Sequence, residues 1–111
     1  MLNSYMELIL RVKELIKNGN YRLTLHAEIE GDADYISIAD LEEVLMHDKC
    51  ELIEDYPKDP RGHSFLLFGF TGQGQPVHAL CSIHEETLVV ITVYRPDPEL
   101  WINWKIRKEG K

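Results

Sequence analysis

Apolar residues recur at helical spacing near the start of the chain. Met6, Ile9, Leu10, Val12 and Ile16 mark one stripe, with Arg11, Lys13, Glu14 and Lys17 outside it. Ser4 and Glu7 read as a capping box and Gly19 as a stop, so the first helix is expected over about 5–18. Residues 21–25, YRLTL, alternate as a short extended segment does, and a weaker helical pattern follows from His26 to Ala33. Ser37 can cap a further helix over about 38–47, with Asp40 at its third position and Ile36 and Leu41 as a hydrophobic staple. That helix would bury Ile38, Leu41, Val44 and Leu45.

The period then changes. CELIEDY, SFLLFGFT, PVHALCSIH and TLVVITVY are β-rich runs separated by PKDPRGH, GQGQ and Glu85-Glu86. Connections this short favour an antiparallel meander, and no helix lies between the runs to support parallel crossovers. The expected architecture is a single α+β domain over 1–111. Helices at about 5–47 pack on a four-stranded antiparallel sheet at about 50–95, and a tail follows over 96–111. Trp101, behind Pro96 and Pro98, is expected to fold that tail back onto the sheet.

Two registers fit the 76–94 hairpin. A three-residue loop sets His84 against Leu88 and His78 against Tyr94, giving an apolar face of Val77, Ala79, Cys81, Ile83, Val89, Ile91 and Val93. A two-residue loop sets His78 beside Val93, and Glu85-Glu86 contains no residue that favours positive φ. The first register separates apolar from polar positions better.

Length and composition add boundaries. The chain has 111 residues, 44% hydrophobic and 28% charged, enough for one core. No run approaches the length of a membrane span, and MLNSYMELIL lacks the features of a secretory signal, so a cytoplasmic location is expected. Cys50 and Cys81 are expected as buried thiols, since they form neither a CxxC nor a CxxxH pair. The net charge of −7 argues against a protein that coats nucleic acid. Residues 1–47 hold four basic and nine acidic groups, whereas Lys105, Arg107, Lys108 and Lys111 make the tail locally basic. Such a tail is either a solvated terminus or a phosphate contact.

Five histidines carry most of the candidate chemistry. His78 and His84 share a strand face but lie roughly 20 Å apart, too far to share a metal. No metal site is expected. There is no GxGxxG, P-loop or HExxH, and no cofactor is expected.

The segments LTLHAE, ISIADLEEVL, ELIEDYP, LLFGFTGQGQPVHAL and VVITVYRPDPELW resemble the domain of unknown function 4258 (DUF4258) over about residues 21–104. The most specific element is a V-x-H strand followed by ITVY-x-PDP-x-x-W. The resemblance implies the outline of RelE- and ParE-type toxins of bacterial toxin and antitoxin pairs. It also implies an antitoxin partner, in some members a small zinc-finger protein. Family members place arginines after the HA dipeptide, where this chain has Glu28, Glu30 and Asp32. Phosphate binding would therefore pass to Lys58, Arg61 and Arg95.

The resemblance makes RNA cleavage without a metal the first functional expectation. That reaction needs a base for the ribose 2′-hydroxyl, an acid for the leaving 5′-oxygen and a cation for the charge on phosphorus. His26, His63 and His78 suit the proton transfers, and Tyr94 suits a donor or a base stack. Arg61 or Arg95 suits the clamp. Each has a structural alternative. His26 is also a local hydrogen-bonding partner, His63 a solvated loop residue, His78 a satisfied core histidine and Tyr94 a packing residue. His47 and His84 are expected at the surface. A non-catalytic protein-binding module of the same fold is the second expectation, and a small-molecule enzyme is the third. The sheet edges also offer places for a partner segment to add as a strand.

Overall fold

A computed structural model describes residues 3–109. α1 spans Ser4–Lys17, and Asn3 caps it, its side chain accepting from the Met6 amide at 2.8 Å. The cap lies one residue before the SxxE reading. Gly19 has φ +74°, and the Asn20 amide reaches back to the Leu15 carbonyl at 2.8 Å, closing the helix. β1 (Tyr21–Leu23) leads into α2 (Leu25–Ala33), capped by Thr24. α3 (Ile38–Met46) carries the expected Ser37–Asp40 capping box. It buries Leu41, Val44 and Leu45, while Ile38 stays half exposed.

The four β-rich runs become β2 (Glu51–Tyr56), β3 (Ser64–Phe70), β4 (Pro76–His84) and β5 (Thr87–Tyr94). They form an antiparallel meander, but the sheet has a fifth strand and is mixed. Its order is β1-β5-β4-β3-β2, and β1 runs parallel to β5 with Tyr21 opposite Leu88 and Leu23 opposite Val90. The four-stranded antiparallel expectation is corrected on this point. Three residues carry too little periodicity to declare a strand, and the parallel partner lies most of the chain away, beyond any short connection.

The β4–β5 hairpin combines features of both expected registers. Its loop has two residues, with His84 opposite Thr87, and Glu85 and Glu86 adopt φ of +48° and +65°. Arg11 pairs with the Glu86 carboxylate. A bulge then inserts Ile91, so Cys81 faces Val90, Leu80 faces Thr92 and His78 faces Tyr94. Thr24 holds the bulge, its amide donating to Val90 O at 3.0 Å and its hydroxyl to Ile91 O at 2.9 Å. The extra residue switches parity along β5. Leu88, Val90 and Val93 therefore face the helices, in place of the expected Val89, Ile91 and Val93.

The core lies between the helices and one sheet face. Val12, Leu15, Ile16, Leu41, Val44 and Leu45 pack against Leu67, Val77, Ala79, Cys81, Leu88, Val90 and Val93. At Gly69 a Cβ would fall 2.7 Å from the Val44 carbonyl, so glycine there lets α3 close onto β3. Cys50 and Cys81 are buried free thiols, both pushed up by burial, Cys50 to about 11. Among the described residues no helix is long and apolar enough to cross a membrane.

Candidate functional site

Among the described residues the other sheet face carries no helix, and the tail covers part of it. After Pro96 the chain turns and forms a small hairpin, β6 (Trp101–Ile102) with β7 (Ile106–Arg107). Ile102 pairs with Ile106, so Asn103, Trp104 and Lys105 form a three-residue loop in which Asn103 and Trp104 take φ of +52° and +67°. Trp101 folds back onto the sheet as expected and is 5% exposed. Two of the tail cations are tied to β2. Lys105 meets Glu51 at 2.8 Å, and Arg107 grips Glu54 through two bonds of 2.8 and 3.1 Å.

His78 lies beneath this hairpin with no exposed surface. Its ring is 4.5 Å from Trp101, 5.2 Å from Tyr94 and 5.7 Å from Phe68, centroid to centroid, always edge to face. Nε2 lies 2.6 Å from the Trp104 carbonyl, and a carbonyl only accepts, so this nitrogen carries the proton. Nδ1 lies 3.1 Å from the Tyr94 hydroxyl, and in the neutral ring it accepts from that phenol. Burial lowers the His78 pKa below its ordinary value. The bond to Trp104 O and the nearby Glu54 charge oppose the shift, and Arg107 adds to it. Burial likewise pushes the Tyr94 phenol up to about 12, against the pull of Arg107. A neutral imidazole with both nitrogens engaged and a phenol held protonated form a satisfied structural network.

Beside this sealed patch the same face opens into a cleft of about 680 Å³. Leu66, Leu80 and Thr92 form its floor, and Glu54, Tyr56, Tyr94 and Arg107 form one wall. The loop from Pro57 to Arg61 forms the other wall. The charges are paired. Arg61 binds Asp59 at 3.0 and 3.2 Å, which holds that carboxylate far below its usual range, helped by the Ser64 hydroxyl at 2.8 Å. Burial pushes Glu54 up, yet its bonds from Arg107 and Tyr56 outweigh this and leave its pKa lowered. Arg107 also stands 4.7 Å over the Trp101 ring, a cation–π contact that ties the cleft wall to the sealed patch.

The structure thus brings His78 and Tyr94 together and sets Tyr94, Arg61 and Lys58 around one cleft. It sends the others elsewhere. His26 lies on α2, on the opposite side of the sheet, pairing with Glu30 at 3.3 Å. His63 pairs with Asp55 and packs edge to face on Phe65, outside the residues that line the cleft. Arg95 clamps the end of β5 to the turn after α2. Its Nε donates to Asp34 O at 2.7 Å and its Nη2 to Tyr35 O at 3.3 Å, while Nη1 reaches Gln75 at 3.1 Å. Among the described residues no cluster of side chains could hold a metal ion.

Sequence reasoning missed Glu54, Tyr56 and Arg107. Asn103 was an available signal, since asparagine tolerates the positive φ of a hairpin loop, and the three-residue loop 103–105 places Arg107 opposite Trp101. A family model, described as a domain of unknown function (DUF4258), matches residues 23–95. No curated protein and no solved structure matches the chain.

Proposed function

The chain belongs to the family of the domain of unknown function DUF4258, and on that premise we propose that it works as a non-catalytic protein-binding module. The open cleft on its sheet is the recognition surface, and the chain is the toxin-side member of a RelE- or ParE-like pair whose partner is an antitoxin. The placement of three helices on one sheet face, with the cleft on the other, supports that frame. One observation carries the reading. His78, the candidate acid or base at the centre of the sheet, is sealed, fully buried with one nitrogen on Trp104 O and the other on Tyr94. A general base needs to reach the proton it removes. The cleft beside it has an apolar floor and a few converging polar groups, the usual composition of a recognition pocket.

A second reading, metal-independent RNA cleavage, draws support from the cleft itself, because Tyr94, Lys58, Arg61 and Arg107 all line it. A time course with defined RNA in EDTA separates the two. The binding reading expects intact RNA with the parent chain. Cleavage that leaves cyclic phosphate ends and disappears in a folded Tyr94→Phe variant would establish the second reading.

A further inference from the structure

The tail hairpin lies across the uncovered sheet face between two cavities. On one side is the 680 Å³ cleft, whose wall includes Tyr94 and Arg107. On the other is a smaller cavity of about 290 Å³, lined by Phe68, Phe70, Trp104 and Lys105 among others. An aromatic row runs beneath the hairpin from one to the other. Between ring centroids, Tyr94 is 5.2 Å from His78, His78 is 5.7 Å from Phe68, and Phe68 is 5.1 Å from Phe70. The hairpin thus divides one aromatic trough into two openings.

Side chains hold the hairpin down. The backbone hydrogen bonds of Leu100 to Asp97, Lys105 to Ile102 and Lys108 to Leu100 all stay within the tail, and β6 and β7 pair with each other rather than with the main sheet. Of residues 97–109 Trp101 alone is buried. Beside that ring, the ties to the sheet among the described residues are Trp104 O on His78 Nε2 and the exposed cations Lys105 on Glu51 and Arg107 on Glu54. Exposed pairs hold weakly, and an element fastened by one aromatic and three polar ties opens more readily than a strand inside the ladder.

We infer that the hairpin is a displaceable strap and that a segment of a partner protein takes its place on the trough. The contacts of the strap state the chemistry of that occupant. Lifting it leaves an imidazole N–H without an acceptor, two carboxylates without cations and an aromatic row open to water. The replacing segment therefore brings an aromatic side chain for His78, a backbone carbonyl for Nε2, and lysine or arginine for Glu51 and Glu54. Once the strap lifts, the cleft and the smaller cavity join into one surface. The inference rests on the protein-binding reading and gives it a partner chemistry and a gate.

The test adds an unlabelled peptide with the sequence of the strap, LWINWKIRK, to the isotope-labelled full chain and follows the Trp101 indole by NMR together with the amides of Phe68 and His78. Expected are saturable binding, a Trp101 indole signal that moves to a solvent-exposed position, and Phe68 and His78 amides that keep the shifts of a covered trough. The same peptide with alanine in place of its first tryptophan should bind at least about tenfold more weakly. The chain's own tail competes as an intramolecular ligand. Lys105→Glu, which sets a carboxylate against Glu51 in that tail, should therefore tighten peptide binding about fivefold with the rest of the sheet spectrum unchanged. No binding by either chain, or equal binding of the alanine peptide, would overturn the inference. Binding at Leu66 and Thr92 that leaves the Trp101 indole buried would also overturn it, while leaving the protein-binding reading intact. A dimer whose copies exchange tails with Trp101 still covered would overturn the assignment to a separate protein. RNA cleavage would overturn the protein-binding reading, whereas peptide-driven release of Trp101 would uphold the strap in either case.

Discussion

The two halves of the uncovered sheet face make a sharper contrast than the two sides of the sheet. Under the tail hairpin, Phe68, His78 and Trp101 are packed and buried, and every polar atom of the histidine ring has a partner. A few residues along the same strands, Leu80, Thr92 and Tyr94 stay partly exposed as parts of an open cleft. One strand alternation supplies both halves, since His78, Leu80 and Ser82 all point the same way. The tail makes the difference. Chemically versatile residues become structural once a hairpin of a few residues seals them, and the recognition surface we propose is the part that the hairpin leaves bare.

The largest expected effect is loss of the seal. Trp101→Ala removes the aromatic that covers His78 and carries the Arg107 contact, and should cost about 3 kcal/mol in urea unfolding followed by circular dichroism. A cost below about 1 kcal/mol would show that the tail merely rests on the sheet. His78→Ala should cost about 2 kcal/mol, because it leaves a cavity and strands both the Tyr94 hydroxyl and the Trp104 carbonyl. His78→Gln, which keeps a donor for that carbonyl, should recover part of the loss. Tyr94→Phe should cost about 1 kcal/mol, the value of a phenol bond to a buried ring nitrogen.

Smaller effects belong to the open half. Glu54→Gln should cost under about 1 kcal/mol, since Arg107 is largely exposed and solvent screens the pair. The Glu54 pKa is lowered in the fold, so its contribution is complete above the unfolded carboxylate value of about 4.3. It is lost as the pH falls from there through the folded value. Comparing acid unfolding of the parent and Glu54→Gln should show the difference narrowing over that window. Thr92→Ala, on the cleft floor, should change stability by no more than about 0.5 kcal/mol. A larger loss there would erase the contrast between the halves.

The sequence pattern was most legible where it was long and periodic. α1 and α3 declare themselves through spacing and caps, and all four meander strands follow from β-rich runs with turn residues between them. The pairing of His78 with Tyr94 was also legible, although the structure reaches it by a different route. A two-residue turn on two glutamates and a bulge at Ile91 together give the offset that a three-residue loop alone would give. Neither feature has a local signature, because the bulge is held from Thr24, far away in the chain. The parallel strand β1 was hidden for a similar reason, its partner being distant.

The candidate site was legible in its residue types and less so in their placement. His78 and Tyr94 were found as a pair, but whether a buried histidine is a base or a satisfied ring depends on what covers it. The cover comes from Trp101 and the Trp104 backbone, set by the turn at Asn103 and Trp104. Reading residues 101–111 as a string of cations gives a solvated terminus, whereas Lys105 and Arg107 return to Glu51 and Glu54. Arg95 shows the same limit, since its guanidinium is engaged by carbonyls of the turn after α2.

The most direct test is a nitrogen-15 NMR titration of the His78 ring. The account predicts a neutral ring with its proton on Nε2, titrating below the ordinary histidine value of about 6.5. Because the folded pKa is lowered, the stability linked to this ring is complete above about pH 6.5 and is lost as the pH falls through the folded value. A His78 that titrates at or above 6.5, or that carries its proton on Nδ1, would contradict the sealed network and return the ring to the candidates for proton transfer.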